Sequence, residues 1–322
     1  GKHPYLLDKV VRLAKPKDLI DTLGITTHIT APYLPQDYQK DLEHYRAAQV
    51  VHVEANWKHQ TAKGVVAETK FIESLPFGSQ GLSLGGIVAA ADPRESNFKK
   101  ILKMHHQASP HFRGIRKMAA WHEDSAIHAW TDQPHLYTDK KFLKGFEALA
   151  QYNLSFDAWV YSTQLADVIA LAKQFPETSI VLDHLGTPAG LFGTVGKHTG
   201  LTQTARDNIR FRWQDDMAEL AQCPNVYTKM SGLFMPVLGH QFHAHKQLAT
   251  KPEILERVLP LISHVLQCFG PYRVMFASNF PMDRVSTSLV NLIDAFSDAV
   301  AAYHPEAVEQ VFHHTAKQFY RL

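Results

Sequence analysis

Seven short apolar runs recur along this chain, each followed by a longer stretch with helical spacing, and no other feature narrows the fold as much. The runs are VVHVEAN at 50–56, LGGIVAAAD at 84–92, FRGIRKMAA at 112–120, LSFDAWVY at 154–161, SIVLDHLG at 179–186, NVYTKMSG at 225–232 and RVMFASNFP at 273–281. Near-continuous Val, Ile, Leu and Phe character marks strands covered on both faces, as in a parallel sheet. Between the runs, KFLKGFEALAQY, STQLADVIALAKQF, WQDDMAELAQC and ILERVLPLISHVLQCF repeat apolar residues at helical spacing and read as helices. Strand–helix units with polar residues gathered at the carboxyl ends of the strands suit an α/β fold of the (β/α)8 TIM-barrel kind better than an open sheet.

A barrel of that kind needs an eighth strand. GITTHIT at 24–30 is one source, and a strand upstream of Gly1 is the preferred one, because residues 4–34 read as an extended leading segment around a short helix, KPKDLIDTL. No linker or low-complexity stretch divides the chain, so one domain over 1–322 is expected, with 1–49 as leading segment and first helices and 50–322 as the βα repeats. The stretches 187–212 and 233–252 are too long for simple connections and are expected to shape the mouth of a site.

Lys and Arg number 33 against 31 Asp and Glu, leaving +2, which is too balanced for a polyanion or a membrane surface. The expected partner is a small-molecule substrate, with no nucleic acid and no membrane, and a homo-oligomer is left open. There is no apolar signal core and no run of about 18 apolar residues, which points to the cytoplasm. Cys223 and Cys268 are the only cysteines and have no ligand spacing, so no cysteine-built zinc site is indicated. No organic cofactor is expected.

Polar residues at strand ends form the candidate constellation. His184, in VLDHLG, stands where a barrel gathers reactive groups, and a neutral imidazole can bind a metal or move a proton. Strand alternation puts Asp183 on the opposite side, to tie a helix or loop. His52 and Glu54 share a face at i, i+2 spacing, as a metal pair or as a buried hydrogen-bonded network. Arg113 and Arg116 fall on opposite faces unless a bend at Gly114 turns both to the mouth, where they would clamp a carboxylate or polarise a carbonyl, or form a rim ion pair. Tyr161, Lys229 and Asn279 complete the set, and Trp121 and His122 line the pocket unless Trp121 only caps the core.

Together VHVEANW, GIVAAADP, FRGIRKMAAW, LSFDAWVYSTQL, FPETSIVLDHLGTP, CPNVYTKMSGL, FGPYRVMFASNFP and TAKQFYRL resemble the amidohydrolase-related (amidohydrolase 2) barrels of the lactonase branch, which includes fuconolactone hydrolases and pyrone-dicarboxylate lactonases. Any single block is weak, whereas the ordered set spans nearly the whole chain. The resemblance implies a hydrolase that opens a small polar lactone by water attack, with a divalent metal such as zinc assisting. It makes His184 a ligand of metal or substrate, makes Arg113 or Arg116 a substrate-binding arginine, and brings Tyr161 and Lys229 to the pocket. The alternatives are a metal-dependent decarboxylase and a binding barrel without catalysis.

Two departures stand out. Relatives carry His-x-His on the first strand, before a segment like HPYLL; this sequence has none, so either the pair lies upstream of Gly1 or two metal ligands are gone. In FASNFPMD the family has an aspartate as general base where this chain has Asn279, and an amide takes no proton near neutral pH. Asp283 then supplies the carboxylate or caps a helix. The expected chemistry is an arginine polarising the lactone carbonyl while Asp283, Glu54 or His184 deprotonates water.

Overall fold

The computed structural model describes residues 17–24, 31–57, 61–78 and 81–322. All seven expected strands form: β1 (Gln49–Val53), β2 (Ser83–Ala90), β3 (Phe112–Met118), β4 (Ser155–Trp159), β5 (Ile180–Leu182), β6 (Val226–Met230) and β7 (Val274–Phe276). They pair in parallel, and their order in space is their order in sequence. The sheet curls into a part-barrel that ends at β1 and β7. Residues 25–30 of GITTHIT lie outside the described residues.

The principal helices are α1 (Lys17–Leu23), α2 (Pro35–Leu42), α3 (Ala62–Glu73), α4 (Phe98–Ala108), α5 (Lys140–Phe146), α6 (Leu165–Gln174), α7 (Gln203–Leu220), α8 (Lys251–Phe269), α9 (Leu289–Tyr303) and α10 (Thr315–Tyr320). Their ends follow from local chemistry. The Thr61 hydroxyl accepts from Gly64 N at the start of α3, and Thr250 and Glu253 cap each other's backbone at the start of α8, contacts worth ~1 kcal/mol each. Gly270, at φ 67, closes α8 in a backbone region that suits glycine.

One expected loop is partly helix. Within 187–212, α7 begins at Gln203, capped by Thr202. Its buried side chains are Trp213, Met217 and Leu220, so its first turns carry no apolar stripe from which a helix could be read. The stretch 233–252 holds two short turns, Pro236–Leu238 and Phe242–Ala244, before α8.

β3 is irregular just before Gly114: against β2, Phe112 pairs with Ile87 and Gly114 with Val88, which leaves Arg113 unmatched. It pairs with β4 in unbroken register from Gly114 to Met118. The glycine also serves close approach: a Cβ there would stand 2.2 Å from Ser155 Oγ. The irregularity does not bring both arginines to the mouth, because Arg113 lies at the amino end of the strands, where a Cβ on Gly86 would stand 3.1 Å from its Cγ. Arg116 lies level with Asp157 of β4 and Ala90 of β2.

Inside the curl, Val88, Val181 and Met275 pack with Phe319 and Tyr320 of α10. Leu322 lies against Gly85 and Gly86 at the β2 end. Arg321 Nη2 donates to the carbonyls of Arg113 (3.1 Å) and Asn153 (2.8 Å). The segment 315–322 thus plugs the amino end of the strands and sends one aromatic side chain upward.

Candidate active site

Five buried charged groups form a continuous chain across the interior. Arg116 donates from Nε to Glu54 Oε1 (2.9 Å), from Nη2 to the Glu54 carbonyl (2.6 Å) and from Nη1 to Asp183 Oδ2 (3.1 Å). Lys229 Nζ lies 2.9 Å from Asp183 Oδ1 and 2.5 Å from Asp157 Oδ2. Tyr320 closes the chain by donating to Asp157 at 2.9 Å. Glu54, Asp157, Asp183 and Lys229 are almost wholly shielded, whereas the Arg116 side chain keeps 13% exposure, the only opening to solvent in the set.

Three carboxylates face two cations, so the set carries one surplus negative charge when all are ionised. The buried environment distributes the cost unevenly. Burial would raise Asp183, but Lys229 and Arg116 outweigh it and hold that carboxylate below its ordinary range. Burial and the neighbouring Asp183 push Asp157 up against the pull of Lys229. Desolvation opposes charge on Arg116 and Lys229 too, yet the carboxylates around them keep both protonated.

Asp183 sits inside, contrary to the alternation argument, and His184 joins it. The strand stops at Leu182, so Asp183 keeps the inward phase of Val181. His184 and Leu185 then adopt left-handed backbone, φ 57 and 50, which breaks the alternation and turns the imidazole back over the barrel end. His184 Nδ1 is 2.7 Å from Ser231 Oγ. Its ring meets Trp159 edge-on at 5.6 Å, and the Arg116 guanidinium lies 5.8 Å over that same indole. Burial, with Arg116 and Lys229 nearby, lowers His184 to about 4 although Asp183 pulls the other way. The imidazole is neutral at pH 7.

Asn279 and Asp283 form a separate unit beyond β7. Asn279, itself left-handed at φ 52, donates from Nδ2 to Asp283 Oδ1 (2.9 Å), and Phe234 N donates to Oδ2 (3.4 Å). Asp283 is fully buried, and desolvation raises it to about 7. Its carboxyl, taken up by Asn279 and by the Phe234 backbone, ties the turn after β7 to the 231–235 segment.

The remaining candidates lie elsewhere. Arg113 turns away from the charged chain: its Nη1 donates to Pro110 O (2.7 Å), near Arg321 at the plugged end. Tyr161 is buried and donates to His128 O (2.9 Å), which makes it a brace for the 121–130 loop. Trp121 is half-buried and donates its backbone N–H to Gln164. His122 Nδ1 accepts from Asp124 N within its own turn. His52 is 3.1 Å from Glu68, a network on the sheet's edge with no share in the chain of charges.

A cavity of about 460 Å³ opens beside β1 and β3, lined by Asn56, Arg94, Lys117, Met118, His128 and Trp130 among others. Its size suits a small ligand. Trp130 lies tilted against Trp159 at 5.0 Å and so links the cavity wall to the indole that touches His184 and Arg116. Arg116, His184 and Asn279 are not part of the lining.

Sequence reasoning missed Asp157 and Tyr320. Asp157 carried a readable signal, a carboxylate in the middle of the apolar run LSFDAWV at the level of Arg116. Tyr320 carried none, since only the fold brings it to β4, 163 residues away in sequence.

A metal ion does not fit the described residues. No group of three or more His, Cys, Asp or Glu side chains converges among them, Glu54 and Asp183 are occupied by Arg116 and Lys229, and His184, with Nδ1 at Ser231, would offer a single ring nitrogen.

A parallel part-barrel with a polar cluster at the carboxyl ends of its strands defines the class by architecture, an α/β fold of the TIM-barrel type. The family model described as Amidohydrolase matches residues 30–322, and the chain belongs to that family. An uncharacterized protein, y4mH, of Sinorhizobium fredii is 29% identical over 320 residues, 99% of this chain and 93% of that one. An L-fucono-1,5-lactonase of Burkholderia ambifaria is 31% identical over 177 residues, 55% of this chain and 49% of its own length. The solved structure of an amidohydrolase from Burkholderia multivorans with bound zinc superposes with a TM-score of 0.70 at 21% identity, over 91% of this chain and 90% of that one. No helix among the described residues is long and apolar enough to cross a membrane.

Proposed function

We propose that this amidohydrolase opens a small polar lactone, with the substrate entering by the cavity beside β1 and β3 and its carbonyl directed to Arg116. The observation that carries the reading is the placement of Arg116 and His184 on the same Trp159 indole, one cationic and one neutral. A guanidinium has five N–H groups, and three of them go to Glu54 and Asp183. The other two are available to a carbonyl oxygen on which negative charge grows as water attacks.

His184 is the group placed to take the proton from that water. It stays neutral until pH falls to about 4, and the imidazolium formed on proton transfer gains Asp183 as a neighbour of opposite sign. The acquired proton can pass to the departing ring oxygen, which leaves as the hydroxyl of the opened acid. The likeness to an L-fucono-1,5-lactonase over half the chain supports a sugar-derived lactone as substrate, as do the polar cavity walls Asn56, Thr131 and Asp132.

The test is a pH-stat assay of the purified chain on L-fucono-1,5-lactone, other aldonolactones and dicarboxylate lactones, with carbon dioxide measured in parallel. Turnover of a lactone that falls at least a hundredfold in both Arg116→Lys and His184→Asn supports the reading. Acid release unchanged in both variants, or no release from any lactone, overturns it, and carbon dioxide as the product would move the chain to the decarboxylases.

A further inference from the structure

We infer that Tyr320 is a positioning residue: by donating to Asp157 from the plugged end of the barrel, it holds that carboxylate ionised and so fixes the Lys229–Asp183–Arg116 chain beneath the mouth. The inference rests on the function proposed above only for its effect on turnover. Its structural basis is independent of any substrate.

Asp157 stands at a branch. Its Oδ2 takes Lys229 at 2.5 Å and the Tyr320 hydroxyl at 2.9 Å, and its Oδ1 lies 3.1 Å from the same hydroxyl. The Lys229 ammonium also lies 5.6 Å over the Tyr320 ring, so the phenol touches both ends of the ion pair. A carboxylate accepting two donors in a dry interior stays charged, whereas one left with a single donor and a second carboxylate nearby is the natural place for the surplus proton to settle.

Protonation of Asp157 would release half of the hold on Lys229. The ammonium would then lean fully on Asp183, in competition with Arg116 Nη1, which shares that carboxylate. The Arg116 guanidinium is thereby linked to a phenol on α10 through three intervening side chains. The groups that face Asp157 are Lys229 from β6, Asp183 from the end of β5, Arg116 from β3, Tyr137 from the 136–138 turn and Tyr320 from α10. Among these α10 contributes no charge, only the hydroxyl, so Tyr320→Phe removes one hydrogen bond and leaves the packing of Phe319 and the ring in place.

The experiment is urea unfolding of the full chain, wild type against Tyr320→Phe, at intervals from pH 5 to pH 8. A hydrogen bond to an ionised carboxylate is stronger than one to a neutral acid. The ratio of unfolding constants should therefore widen about tenfold across that range. A ratio that stays constant with pH would show that the phenol only packs and would overturn the inference. On any lactone that the wild type turns over, Tyr320→Phe should move the acid limb of the kcat/KM profile to higher pH with KM nearly unchanged, and an unshifted limb overturns it. Failure of every lactone would remove the proposed function, while the unfolding comparison still decides the role of Tyr320.

Discussion

A Cβ placed on Gly232 would stand 2.5 Å from the His184 ring, so the backbone after β6 forms the wall against which the imidazole is pressed. Gly232 also sits at φ 62, where a side chain is disfavoured. Gly232→Ala should displace His184 and lower lactone turnover at least tenfold. The direct backbone cost is on the order of 1 kcal/mol. Kinetics together with a urea melt check this, and full activity in a folded variant would contradict the placement of His184.

Arg116 and Arg113 should behave oppositely although they lie three residues apart. Arg116→Met leaves Glu54 and Asp183 without their shared cation, a loss of about 3–5 kcal/mol for a broken buried pair. Arg116→Lys restores charge without the fork, so it should recover much of the stability and little of the turnover. Arg113→Ala loses contacts only at the plugged end, so KM and kcat should stay within about twofold, on the order of surface substitutions.

Asp283 makes stability depend on pH in a direction unusual for a carboxylate. Its folded value is raised to about 7 from an ordinary 3.8, so the folded protein holds a proton that the unfolded chain gives up. That contribution is complete below pH 3.8 and is lost as pH rises through 7. Asp283→Asn should therefore gain on the wild type from pH 5 to pH 8, by on the order of a few kcal/mol, as read by unfolding at each pH.

Tyr161→Phe should cost about 1 kcal/mol for the lost bond to His128 O and leave kcat unchanged. A large rise in KM or fall in kcat would return Tyr161 to the substrate's surroundings.

The strands were legible because each is an apolar run of the right length flanked by polar ends, and seven such runs leave few alternatives. Arg116 and Lys229 were legible for the same reason, as charges with inward phase on those runs. The reading went astray where a local backbone choice overrides period. At Asp183 and His184 the strand stops after Leu182 and a left-handed turn follows, which no alternation rule contains. At Gly114 the expected irregularity is present, with Arg113 unmatched against β2, but it leaves Arg113 at the amino end of the strands and not at the mouth. Asp283 presented two roles to sequence reasoning because capping and catalysis both use a carboxylate after a turn, and only its full burial and its bonds to Asn279 and Phe234 N separate them.

The plug of residues 315–322 has a bearing on how the molecule is made. Asp157, Asp183 and Lys229 emerge from the ribosome well before Tyr320, whose bond to Asp157 spans 163 residues. Until that segment arrives, the nascent barrel carries an open end with an unfinished set of buried charges, exposed to water and to chaperones. Completion of the electrostatic interior therefore waits on a residue made well after β7, and a ribosome that stalls before Tyr320 leaves a chain with all seven described strands but no settled centre.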